Sequence, residues 1–150
     1  MKDEILKVMK WKYVCLVVLM AYFFFVFYMA VLNRDIVDLK DPVRSDLFKN
    51  LLNPGPEGYR DLILNIVCFI PVGLLVGLLF EKYRWVKALL VGLLVSLTIE
   101  LSQLIWHRGV FDVNDLFNNA LGALIGGIIA VAVINGTQRL KDTKDKGNRR

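Results

Sequence analysis

Apolar residues in this chain fall into four long blocks, over about residues 11–32, 62–80, 86–106 and 116–134, with charged residues confined largely to the segments between them. A helix of a soluble protein repeats its apolar residues every three or four positions, leaving a polar face. These blocks are apolar all round, and each approaches the roughly 20 residues that cross a hydrocarbon core at about 1.5 Å per residue. The pattern predicts an all-α, polytopic membrane protein with four transmembrane helices. The link EKYRW is short enough to make the second and third helices an antiparallel hairpin, and HRGVFDVND does the same for the third and fourth at the other end. The longer connection, residues 33–61, contains DLFKNLL, read as a short surface helix, and PGPEG, read as a turn. Residues 135–150 form a polar, basic tail, read as disordered.

The first block resembles a secretory signal in its basic start, but its apolar run exceeds the roughly 7–15 residues of a signal core and no A-x-A-like site closes it, so it reads as an uncleaved anchor. Its Phe and Tyr cluster, AYFFFVFYMA, reads as lipid-facing bulk.

Composition agrees with a membrane location: 56% of residues are hydrophobic and the mean hydropathy is +0.51. The net charge of +5 does not point to nucleic acid, because no basic patch interleaved with aromatics lies outside the apolar blocks. Its distribution reports orientation instead. The N-terminal segment, the EKYRW link region and the tail carry thirteen Lys and Arg, against six in the 33–61 loop and the last link. The excess places both termini in the cytoplasm. Cys15 and Cys68 lie inside apolar blocks, without ligand or CxxC spacing, and read as small packing residues. No cofactor or metal is expected from these motifs.

The informative residues are polar ones inside the blocks. Glu100 stands in the third, about 9 Å from its outer boundary, where an unpaired carboxylate is unfavourable by several kcal/mol. Gly92, Ser96, Glu100 and Gln103 share one face of that helix; Asn65, Phe69, Gly73 and Gly77 share one on the second; Asp115, Asn119, Gly122 and Gly126 share one on the fourth, with Asn118 beside them. Each face has its polar residues toward the outside and its small residues toward the inside. Convergence of the faces would bring glycine and serine into close packing below a polar cluster of Asn65, Glu100, Gln103, Asp115 and Asn119, rimmed by His107, Arg108, Asp112 and Asn114. Pro71 removes an N–H, frees the Val67 carbonyl and predicts a kink beside Asn65. Plainer roles stand beside these: Asn65, Gln103 and Asn118 as interhelical glue, Asp115 as the N-cap of the fourth helix, Arg108 as a neutraliser of Glu100 or Asp112, and His107 as an interfacial residue.

The stretch Asp61–Gly127 resembles the VanZ-like family of small bacterial membrane proteins. The motifs that carry the resemblance are DLILNIVCFIPVG on the second helix and IELSQLIWHRGVFDVNDLFNNALGALIG across the third and fourth, with the short basic hairpin between. By motif, Asn65, Phe69, Pro71, Gly73, Glu100, Gln103, Arg108, Asp112, Asp115, Asn119 and Gly122 take the family's positions. The resemblance implies a bacterial plasma-membrane protein of the cell envelope, with glycopeptide resistance, chiefly to teicoplanin, known for the family's namesake. It supplies no established reaction.

Three functions compete. A non-enzymatic protein would bind or screen a lipidated glycopeptide or a lipid-linked cell-wall precursor in an outward-facing polar cavity, with membrane lipid as its other partner. A membrane enzyme would use Glu100 as a general base, or Glu100, Asp112 and Asp115 as oxygen ligands of a divalent cation. The chain's one His and lack of a nucleophile elbow or phosphate loop weigh against that. A transporter built on four spans without an inverted repeat would need a homo-oligomer.

Overall fold

The computed structural model describes residues 2–38, 42–44 and 55–147. Four helices carry the chain: α1 (Lys2–Phe27), α2 (Gly55–Leu79), α3 (Arg84–Ile105) and α4 (Val113–Gly147). All four are long and apolar enough to cross a membrane. A π-helical turn, Tyr28–Leu32, extends α1. Two short strands, β1 (Val43–Arg44) and β2 (Phe111–Asp112), pair in parallel, Val43 with Phe111 and Arg44 with Asp112. This two-residue ladder ties the long connection to the α3–α4 link, a feature no apolar pattern announced.

Helix α4 is the spine. Both α2 and α3 pack along it, and small residues set how closely. A Cβ placed on Gly122 would overlap the Ile66 carbonyl, and one on Gly126 the Ile70 carbonyl, so α2 and α4 touch backbone to backbone. Gly73 and Gly77 meet Ala123 and Ala130 from the α2 side, and Gly92 of α3 meets the Ala123 methyl. Without a hydrophobic effect between helices in lipid, such close approach is what van der Waals attraction requires. Helix α1 closes the bundle over α2 and α3: Val26 and Val31 join Phe69, Val72, Ile99 and Ala123 in a buried core.

Several expectations change. α2 begins at Gly55, so PGPEG is a helix start and not a free turn. Gly55 adopts φ +62°, a conformation open to glycine, and Pro56 follows in the first turn, where its missing N–H costs nothing. α4 does not end at Ile134 but runs to Gly147; no proline breaks it, and Gln138, Arg139, Leu140 and Lys141 form a run of good helix formers within the tail. The DLFKNLL segment lies outside the described residues. In α1 the aromatic cluster is divided: Phe24, Phe25 and Tyr28 are exposed, as lipid-facing residues should be, whereas the Tyr22 hydroxyl donates to the Cys68 carbonyl at 2.9 Å and Phe27 meets Trp106 edge to face at 5.8 Å. At the opposite end of the bundle, Lys12 of α1 pairs with Glu81 of the α2–α3 link at 2.7 Å.

Candidate functional site

The antiparallel pair α3 and α4 forms a ladder of polar rungs at the end of the bundle that carries the long connection. One rung is Asn119 Nδ2 donating to Ser96 Oγ at 2.9 Å, both side chains buried. One helical turn nearer the loops, Glu100 follows Ser96 and Asp115 precedes Asn119, each at a spacing of four. Glu100 is 1% exposed. Its Oε2 accepts the backbone N–H of Asp112 at 2.8 Å, which fastens the α3–α4 link down onto α3. Asp115 is held from the other side, its Oδ1 accepting from Asn65 Nδ2 of α2 at 2.5 Å. The three polar faces therefore converge at Asn65, Glu100, Asp115 and Asn119. Asn118 is buried beside them.

Asp112, not Asp115, caps α4. Its Oδ1 accepts both the backbone N–H and the side-chain amide of Asn114, at 2.8 and 2.9 Å. Sequence spacing could not separate two aspartates three residues apart; the cap belongs to the one in the bend, whose carboxylate reaches the first free N–H groups. Asp115 is thereby free to point at α2. The partner of Asp112 is Arg44 of β1, at 3.4 Å, and not Arg108.

Arg108 neutralises neither Glu100 nor Asp112. Its guanidinium donates to the Leu32 and Arg34 carbonyls at 2.9 and 2.5 Å, tying down the chain that leaves α1. The position of Arg108 follows from a Schellman ending of α3: His107 N–H bonds the Leu104 carbonyl, Arg108 N–H bonds the Gln103 carbonyl, and His107 has φ +54°. His107 is therefore a backbone hinge as well as an exposed side chain. Gln103, also buried, turns away from the α4 ladder and donates Nε2 to the Ala30 carbonyl at 2.8 Å. That carbonyl lies in the π-helical turn, where the regular i to i−4 ladder is broken.

Arg34 and Arg44 belong to the surroundings of the site and were missed in sequence, because a loop arginine has no periodicity that assigns it a face. Arg34 is exposed, sits near Gly109 and is among the charges that Glu100 and Asp115 feel. Ser96, read as a packing residue, also bonds Asn119. Phe69, Gly73, Gly77, Gly92, Gly122 and Gly126 are all buried, and Pro71 is half-buried within α2.

The cluster is rich in acceptors. Among the described residues, no donor reaches the second oxygen of Glu100 or of Asp115, and Asn119 Oδ1 is buried without a partner. The cation site suggested by Glu100, Asp112 and Asp115 does not form: no three His, Cys, Asp or Glu side chains among the described residues stand close enough to hold a metal ion. Asp112 is engaged by the cap and by Arg44.

Protein VanZ of Enterococcus faecium is 34% identical over 68 residues, a stretch covering 45% of this chain and 42% of that protein. The match therefore spans under half the length of that relative. No solved structure matches. The VanZ/LLP1 family matches residues 13–135, a range that reaches all four apolar segments and contains every residue of the polar ladder. This multi-pass membrane protein belongs to the VanZ/LLP1 family.

Proposed function

We propose that this protein is a bacterial plasma-membrane component of the cell envelope that binds or screens a lipidated or lipid-linked molecule at the Glu100–Asp115–Asn119 cluster. The observation that carries this reading is Glu100: a carboxylate 1% exposed, inside a membrane-crossing helix, with only one of its oxygens engaged by the protein. Ionisable groups are unfavourable in lipid, and a chain that keeps one there uses it. The excess of Lys and Arg at the N-terminus, the α2–α3 link and the tail supports a topology with both termini in the cytoplasm and the cluster in the outer half of the membrane. A ligand arriving from the cell surface would then meet the polar groups with its head while its acyl part lies along the exposed apolar sides of the helices. Teicoplanin, which carries an acyl chain, and the lipid-linked precursors of the wall both have this form.

The test is the inhibitory concentration of teicoplanin for a susceptible Gram-positive host carrying no copy, the native protein, or Glu100→Gln at matched membrane abundance. Protection by the native protein that disappears in Glu100→Gln supports the reading. Equal susceptibility of all three strains rejects resistance as its function.

A further inference from the structure

We propose that the Glu100–Asp115–Asn119 cluster between α3 and α4 binds a primary ammonium group, held by three acceptor oxygens, one from each residue. The inference rests on the ligand-binding reading above and names the chemistry of the head group.

Each of these side chains uses one polar atom to hold the protein together. Glu100 Oε2 takes the Asp112 N–H, Asp115 Oδ1 takes the Asn65 amide, and Asn119 Nδ2 goes to Ser96. What remains on each, with the two carboxyl groups ionised, is an accepting oxygen. For Asn119 this is the more telling, because Oδ1 is shut off from solvent, the residue is 5% exposed, and no donor among the described residues reaches it. Buried carbonyls are almost always paired, so an orphan beside two carboxylates marks a place for a donor from outside the chain. The nearby cations do not fill it. Among the described residues, Arg44 is committed to Asp112, Arg108 to backbone carbonyls, and Arg34 acts on the two carboxyl groups through its charge.

An ammonium carries three N–H donors, a positive charge and no acceptor, which matches three acceptor oxygens, two of them on acidic side chains. A phosphate or carboxylate head group carries only acceptors and meets repulsion. A quaternary ammonium has the charge but no N–H to give, so it leaves Asn119 Oδ1 unpaired. Two common sources offer a primary ammonium at a cell surface: an amino phospholipid and an amino sugar.

The experiment offers the purified full-length protein, in micelles, equal amounts of phosphatidylethanolamine and phosphatidylcholine with identical acyl chains, and counts the lipid retained by native mass spectrometry. The two head groups share a phosphate and a positive charge and differ in their N–H donors. Retention of the ethanolamine lipid over the choline lipid by about tenfold or more is expected, the ratio that accompanies loss of a charge-assisted hydrogen bond. In Glu100→Gln the ratio falls toward one through loss of the ethanolamine lipid, while retention of the choline lipid is unchanged. Displacement of the ethanolamine lipid by glucosamine but not by N-acetylglucosamine assigns the site to an amino sugar; its persistence assigns the site to the lipid amine, and both sustain the proposal. Equal retention of the two lipids by the native protein overturns the ammonium site while leaving lipid binding intact. Retention of neither lipid, with no displacement by glucosamine, overturns this inference and the ligand-binding reading together.

Discussion

Replacing Gly126 by alanine adds one methyl group to α4 at the point where it crosses α2. The added Cβ would overlap the Ile70 carbonyl oxygen, lie 2.6 Å from the Leu74 nitrogen and 3.0 Å from the Gly73 carbonyl carbon. All three neighbours are backbone, so no side chain can rotate to make room. Ordinary contact distances for such atoms are about 3.5 Å, and relief requires the two helices to part by roughly an ångström. That movement also loosens the Gly73–Ala123 and Gly122–Ile66 contacts on either side. Overpacking of this kind costs about 1–3 kcal/mol, and backbone neighbours place it near the upper end. Alanine's better helix propensity returns about 1 kcal/mol, leaving a net loss of about 2 kcal/mol. Gly136 supplies the control on the same helix, because a Cβ there meets nothing within 4 Å. Gly136→Ala should be neutral or stabilise by up to about 1 kcal/mol. Equilibrium unfolding in mixed micelles with increasing dodecyl sulfate, followed by far-UV circular dichroism, measures both. A Gly126→Ala protein as stable as Gly136→Ala would refute the backbone contact between α2 and α4, and with it the position of Asp115 against Asn65.

Three further outcomes are expected. Asp112→Ala removes the α4 cap and the Arg44 pair and should lower unfolding stability by about 1–2 kcal/mol, while Asp112→Asn, which caps as well, costs a few tenths; equal losses in the two variants would show that the charge and not the cap matters. Gln103→Leu leaves the Ala30 carbonyl without its donor and should cost about 1–3 kcal/mol, with faster disulfide trapping of cysteines placed across α1 and α3 only if that end of α1 has come loose. The hydrogen bond and charge of Lys12 hold the exposed Glu81 carboxyl below the usual carboxylate range. The stability this contributes is therefore present above the ordinary carboxylate pKa and is lost as pH falls through the lowered folded value; Glu81→Gln should flatten the acid limb of a melting-temperature profile, and an unchanged limb would show that the pair contributes nothing.

What could be read from the sequence was whatever depends on one helix at a time. Length and uniform apolarity predict four spans, because hydrocarbon demands about twenty residues whatever lies beside them. A step of four positions is enough to gather Glu100 with Ser96, or Asp115 with Asn119, since 3.6 residues per turn set the azimuth of every side chain on its own axis. The run of α4 through residues 135–147 is also local to one helix, since no proline interrupts it.

Partnership is different, because it depends on how far one helix slides and turns against the next. Asp112 and Asp115 carry the same chemistry three residues apart; only the placement of the α3–α4 bend gives the cap to the first and the contact with Asn65 to the second. Arg108 stands within reach of acidic residues in sequence, yet the Schellman turn at His107 directs it to the carbonyls that follow α1. Gln103 shares its face with Glu100 but, at a step of three and not four, lies far enough round the helix to meet α1. Arg44 enters only because a two-residue strand pair carries it to Asp112. The sequence by itself determined which residues sit in the membrane and which share a helical face. The tertiary structure decided which of them meet, and left Asn119 with an acceptor and no donor, because axial register between helices is set by the backbone contacts of Gly122 and Gly126 and not by the period of any one helix.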